Sequence, residues 1–153
     1  MKMSKFCFSA SAISIALLAS SSGIANAKPE VNFPSAPSNC HALKEIATGD
    51  TILRKTIKFG DQNTDFAVPT GRQYHYYIAR MIPENNAKYT VAVNLKYNTG
   101  NHATVFSKTA YFNRLQLYKL KVQSPVAHQP YQVNLDINGP VNNVYNISVL
   151  ACR

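Results

Sequence analysis

The sequence predicts an all-β protein: an antiparallel β-sandwich of Greek-key or jelly-roll kind, with about seven or eight strands and a short N-terminal helical turn. Three observations predict it. Period-two alternation of apolar and polar residues runs from Thr51 to Cys152. Turn residues punctuate it at short intervals, in "PTG", "PENN", "NTGN" and "NGPVNN". Two cysteines, Cys40 and Cys152, bracket the alternating region.

The chain opens on a targeting pattern. Lys2 and Lys5 supply positive charge, "FCFSASAISIALLA" is a short apolar run, and Ala25-Asn26-Ala27 has the small-x-small form of a cleavage site. The run is too short to span a bilayer comfortably. Residues 1–27 read as a cleaved signal peptide, which predicts an exported protein, with the extracellular space favoured and the periplasm as the alternative. The remaining 126 residues suit one domain. Residues 28–50 read as an extended arm and a short helical turn, and residues 51–153 as the sandwich. "KPEVNFPSAPSN" is rich in Pro and Ser and favours an extended path. "CHALKEIATG" has a cap in Ser38 or Asn39 and a stop in Gly49, which predicts the helical turn.

In an exported chain, Cys40 and Cys152 predict one disulfide between the arm and the last strand. Metal ligation would need more than two ligands, and a paired thiol does no catalysis.

The strands follow in order. "TILRKTIKF" alternates, with Leu53, Ile57 and Phe59 on one parity; "GDQNTD" reads as a loop and "FAVPTGR" as a turn. "YTVAVNLKY" alternates cleanly, with Tyr89, Val91, Val93, Leu95 and Tyr97 inward and Thr90, Ala92, Asn94 and Lys96 outward. "HATVFSKTAYF" follows "NTGN". "NRLQLYKLKVQ" changes phase, which predicts a bulge near Tyr118–Lys119 or a helical turn. "YQVNLDIN" and "VYNISVLAC" supply the last two strands, and "VNLDIN" echoes the earlier "VNLKYN". Over ten residues, "DFAVPTGRQY" resembles the D-x-F/Y…V-P-x-G pattern of pre-peptidase-type bacterial β-sandwich domains; the resemblance implies a sandwich and no function.

"RQYHYYIARMI" is apolar on both parities. If it pairs with "YTVAVNLKY" across "PENNAK", one register turns Tyr74, Tyr76, Ile78 and Ile82 inward, and a one-residue slip turns His75, Tyr77, Ala79 and Met81 inward instead. The first buries more apolar area and is the expected one. It leaves Gln73, His75, Tyr77 and Met81 beside Thr90, Asn94 and Lys96, a face suited to a sugar ring or an anionic headgroup.

Charge points the same way. Without residues 1–27, fourteen basic and seven acidic residues leave a formal +7. Such a surface attracts acidic lipids or glycans. Candidate ligand-binding residues are His75, Tyr77, Asn94 and Lys96, with Arg54 and Lys58 of "RKTIK" and Lys119 and Lys121 of "YKLK". Asp61, Asn63 and Asp65 have the alternate oxygen spacing that begins short calcium sites, so calcium is the one cofactor considered. Phe66 and Arg72 stand where an EF-hand would need Gly and Glu.

His41, His75, His102 and His128 show no metal-ligand spacing, and there is no phosphate loop or nucleophile elbow. The expected function is therefore a monomeric, non-enzymatic binding module for an anionic membrane surface or a glycan. The alternatives are a periplasmic protein that docks on another protein, and a small basic hydrolase such as a nuclease. Nucleic acid is not the expected partner. "NIS" at Asn146 is a glycosylation sequon, relevant only in a eukaryotic source.

Overall fold

The computed structural model describes residues 31–60 and 62–153. The signal-peptide reading and Asp61 lie outside the described residues. The described chain is an antiparallel β-sandwich of ten strands with no helix. Sheet A holds β1 (Cys40–Ala42), β10 (Val144–Cys152), β5 (Tyr76–Pro83) and β8 (Tyr118–Val122) in that order, with β3 (Leu53–Thr56) also on β10. Sheet B runs β2 (Lys44–Glu45), β4 (Asn63–Ala67), β9 (Gln132–Asn138), β6 (Ala87–Lys96) and β7 (His102–Phe112).

Among consecutive strands, only β6 and β7 pair with each other; every other connection passes from one sheet to the other. The "NTGN" signal is correct for that hairpin. Gly100 takes φ 80° and its N–H closes the turn on the Tyr97 carbonyl at 3.0 Å.

The expected helical turn over residues 40–49 is reduced to one turn at its end, where the Gly49 N–H closes on the Glu45 carbonyl at 2.9 Å with Gly49 at φ 78°. Cys40–Ala42 pairs with β10 and Lys44–Glu45 with β4, because those backbone groups find strand partners that a single helical turn lacks. Cys40 and Cys152 are direct register partners and form the disulfide. The segment expected as a loop around Asn63 and Asp65 is strand β4, with Thr64 and Phe66 turned inward. The phase change in "NRLQLYKLKVQ" arises from a sheet-crossing turn over 113–117 in which Leu115 takes φ 59°. The actual bulge lies between Val93 and Asn94, against β7.

The largest correction concerns "RQYHYYIARMI". Strands β5 and β6 do not pair; "PENNAK" bridges the two sheets, and β5 lies between β10 and β8. Tyr77, Ala79 and Met81 therefore point into the core, while Tyr76, Ile78, Arg80 and Ile82 take the outer parity of sheet A. This is the opposite of the expected register. Inward placement of Arg80 would have buried its charge between the sheets; outward placement lets it bond at the sheet surface.

The core is aromatic at its centre: Tyr77, Tyr89, Tyr145 and Phe66 are fully buried, with Leu135 and Ile147 packed among them. Gly139 has a packing role, since a Cβ there would stand 2.8 Å from Cδ1 of Tyr89.

Candidate functional site: the outer face of sheet B

Four neighbouring strands present polar side chains outward from sheet B. Clean alternation dictates this: β6 buries Tyr89, Val91, Val93 and Leu95, and β9 buries Val133, Leu135 and Ile137. The outward residues fall into cross-strand rows. The central row reads Asp65, Asn134, Asn94, Thr104 from β4 to β7. On one side lies Asn63, Asp136, Ala92, Ser107; on the other, Ala67, Gln132, Lys96, His102.

Hydrogen bonds join the central row end to end. Thr104 donates from Oγ1 to Oδ1 of Asn94 at 2.6 Å, and Asn94 Nδ2 donates to Oδ1 of Asn134 at 2.9 Å. Asn134 Nδ2 in turn donates to Oδ1 of Asp65 at 2.9 Å. Lys96 Nζ closes the chain on both Asp65 oxygens, at 2.8 and 3.0 Å. Each side chain is thus held by a neighbour on another strand, so the donors and acceptors facing solvent are preset. Together they line an open groove of about 650 Å³. The row spans three interstrand intervals, ~14 Å.

The chemistry of this groove is that of amides and hydroxyls. Asn94, partly exposed, keeps unused donor and acceptor capacity beyond the bonds above, while the buried Asn134 holds its neighbours in place. Asp65 is neutralised by Lys96 in a half-buried pair. Tyr111, 62% exposed, lies further along the same face of β7, opposite Lys88.

The predicted site residues divide among several places. Asn94 and Lys96 lie in the groove, as do Asn63 and Asp65, which the sequence offered for calcium. Among the described residues, no group of three or more His, Cys, Asp or Glu side chains is placed to hold a metal ion. Tyr77 is not a stacking residue. It is 1% exposed, and burial pushes its phenol well above the ordinary tyrosine range. His75 is exposed near a shallow hollow at the end of the sandwich, beside Gln73 and His128. The single patch expected from His75, Tyr77, Asn94 and Lys96 does not form, because β5 and β6 belong to different sheets.

Nor do Arg54 and Lys58 share a strand face. Arg54 lies on β3 and forms a two-pronged pair with Glu84, Nε and Nη2 each at 2.8 Å. Lys58 lies beyond the end of β3, where its carbonyl accepts from Gln62 Nε2 at 3.1 Å. Lys119 and Lys121 are exposed on β8, with Lys121 Nζ 4.1 Å from the centre of the Tyr76 ring. Asn146 of the sequon is buried and donates to Glu84 at 2.8 Å.

Sequence reasoning missed Asn134, Thr104, Asp136, Ser107 and His102 as members of the site. The signal was present in the V-N-L echo, which brings Asn94 and Asn134 opposite each other once the strands pair.

The arrangement defines a β-sandwich with an open polar groove on one sheet face. Among solved structures it is similar to a carbohydrate-binding module CBM29-2 mutant complexed with mannohexaose (TM-score 0.48, 9% identity, covering 78% of this chain and 85% of that one). It is also similar to a structure described as "CBM4 structure and function" (TM-score 0.38, 11% identity, 76% and 96% covered). A third is the CBM22-1 xylan-binding domain from Paenibacillus barcinonensis (TM-score 0.36, 11% identity, 74% and 91% covered). No family model matches the chain, and no curated protein matches it.

Proposed function

We propose that the protein is a non-catalytic module that binds a neutral, hydroxyl-rich glycan along the outer face of sheet B. One observation carries this reading: the continuous hydrogen-bonded row Thr104–Asn94–Asn134–Asp65–Lys96 across four strands. Sugar hydroxyls both donate and accept, and a row of fixed amides offers both functions at regular spacing. Preset groups lose little entropy on binding, which favours weak polar ligands. The Lys96–Asp65 pair removes the net positive charge expected there, so a neutral sugar fits this face better than an anionic headgroup. The same pair occupies both oxygens of Asp65, which supports binding over acid–base cleavage. The cystine supports an oxidising, extracytoplasmic setting.

The test is a glycan array of neutral and acidic oligosaccharides, followed by calorimetry on the strongest hit. The expected result is a neutral oligosaccharide bound with little dependence on salt, weakened tenfold or more by Asn94→Ala in a variant that remains folded at the assay temperature. Absence of any glycan binding, or full binding by Asn94→Ala, would overturn it.

A further inference from the structure

Four loops close one end of the sandwich, and each crosses from one sheet to the other: 57–62 after β3, 84–86 after β5, 113–117 after β7 and 139–143 after β9. Hydrogen bonds tie them to one another. The Ile57 N–H donates to the Asn143 carbonyl at 2.8 Å, and the Asn142 N–H to the Ile57 carbonyl at 2.9 Å. Asn85 Oδ1 accepts from the Val144 N–H at 2.8 Å, and Asn86 Oδ1 from the Arg114 N–H at 2.6 Å. This end is therefore braced, and the side chains at its tips are preset.

Two of these loops carry the same pair, an exposed cation followed by a large apolar side chain: Lys58-Phe59 and Arg114-Leu115. Phe59 is 90% exposed and Leu115 is 48% exposed. Leu115 also holds a left-handed φ of 59°, fixed by a 2.7 Å bond from its N–H to the Pro83 carbonyl. That conformation is unfavourable for leucine, and strain of this kind gathers at functional positions. Among the described residues neither Lys58 nor Arg114 forms an ion pair, and the described carboxylate of these loops, Glu84, is taken by Arg54. Asp61, next after Gly60 in the sequence, offsets one of the two charges. Just behind the tips, Lys88 and the exposed Tyr111 are register partners, one residue in from the ends of β6 and β7.

We propose that this end of the sandwich is a contact site for an anionic lipid bilayer. Phe59 and Leu115 enter the headgroup boundary, and Lys58 and Arg114 beside them take lipid phosphates. Lys88 and Tyr111 follow at headgroup level, where an amphipathic ring is favoured. Apolar insertion and charge attraction are each modest, and surface attachment takes both together. A bilayer fits better than a protein partner. An almost fully exposed phenylalanine on a loop tip is a wedge for a fluid interface, whereas protein hot spots are packed into pockets. The polar groove lies along the side of the sandwich, on sheet B, so a chain standing on this end keeps the groove open. Lipid contact and glycan binding use different residues, and either can fail without the other.

The test is cosedimentation of the full chain with two kinds of vesicle, phosphatidylcholine alone and phosphatidylcholine with phosphatidylglycerol in equal parts. The chain should bind the anionic vesicles at least tenfold more tightly, and the preference should fall as salt rises. Phe59→Ser with Leu115→Gly should weaken that binding at least tenfold. Glycine accepts the left-handed φ that leucine resists, so Leu115→Gly removes the apolar contact without loading the fold. If that substitution nevertheless unfolds the chain, Phe59→Ser alone decides, with at least a fivefold loss expected. Lys58→Gln with Arg114→Gln should remove the preference for anionic vesicles. All these variants keep residues 1–27, so binding through that apolar run would survive them. Absence of binding to either vesicle, equal binding to both, or binding that survives the Phe59 and Leu115 substitutions would overturn the proposal.

Discussion

Asn94 and Asn134 face each other across β6 and β9, and the side-chain amide of one donates to the side-chain oxygen of the other at 2.9 Å. Each lies at the centre of a V-N-L tripeptide, and the two tripeptides pair antiparallel, Val93 with Leu135 and Leu95 with Val133. The apolar flanks enter the core and the two amides emerge together on the sheet face. Burial of the flanks thus fixes the register that makes the polar row continuous.

Asn134 is the hub of that row, since it accepts from Asn94 and donates to Asp65. It is almost fully buried by its neighbours. Asn134→Ala leaves both partners short of a bond and should destabilise the fold by about 1–3 kcal/mol in urea denaturation. The same variant should lose glycan binding at least as completely as Asn94→Ala.

Tyr77, Tyr74 and Tyr145 have buried hydroxyls without a hydrogen-bond partner among the described residues. Tyr77→Phe keeps the ring and removes the orphan hydroxyl, so it should be neutral or stabilising by about 1 kcal/mol. Tyr77→Ala should destabilise by about 3–5 kcal/mol through the cavity it leaves. A melting temperature that falls markedly for Tyr77→Phe would show that the hydroxyl has a partner.

Burial raises the phenols of Tyr77 and Tyr145 above their ordinary range. The folded protein therefore holds protons that the unfolded chain releases above about pH 10. The stability these groups contribute is complete below that pH and should be lost as pH rises beyond it. Urea midpoints measured from pH 8 to 11 should decline at the alkaline end, and less steeply in the Tyr77→Phe variant.

Glu84 is held below the ordinary carboxylate range, chiefly by the Arg54 guanidinium and then by the Asn146 amide, against an opposing effect of burial. A lowered carboxylate contributes stability that is complete above its unfolded value and is lost as pH falls through its folded one. Glu84→Gln should therefore flatten the acid side of the stability profile. It should also destabilise the neutral-pH protein by about 1–3 kcal/mol, because the pair with Arg54 is lost. An unchanged acid limb would show that other carboxylates set it.

The Cys40–Cys152 bond joins direct partners on β1 and β10, 112 residues apart in sequence. Alkylation of the native protein should label neither cysteine by intact mass. Cys40→Ser with Cys152→Ser should destabilise by about 2–5 kcal/mol. The first residues to gain hydrogen exchange should be those of β1, whose remaining hold is a three-residue strand.

Much of this was legible in the sequence, and the boundary has a physical origin. The alternations of β6 and β9 each separate an apolar parity from a polar one, and that separation alone assigns which side chains enter the core and which form the polar face. The disulfide was legible too, because reading residues 1–27 as a signal left only Cys40 and Cys152 to pair. Strand β5 was not legible. Both its parities carry apolar residues, and the choice between Tyr77 and Ile78 as core depended on partners far along the chain, β8 and β10. Long-range pairing places β5 and β6 in different sheets, which separates Tyr77 from Lys96. The tertiary structure also returns the arm over Arg80. Local periodicity describes the two faces of a strand; which face is buried, and what covers the other, is set by long-range pairing that no local pattern encodes.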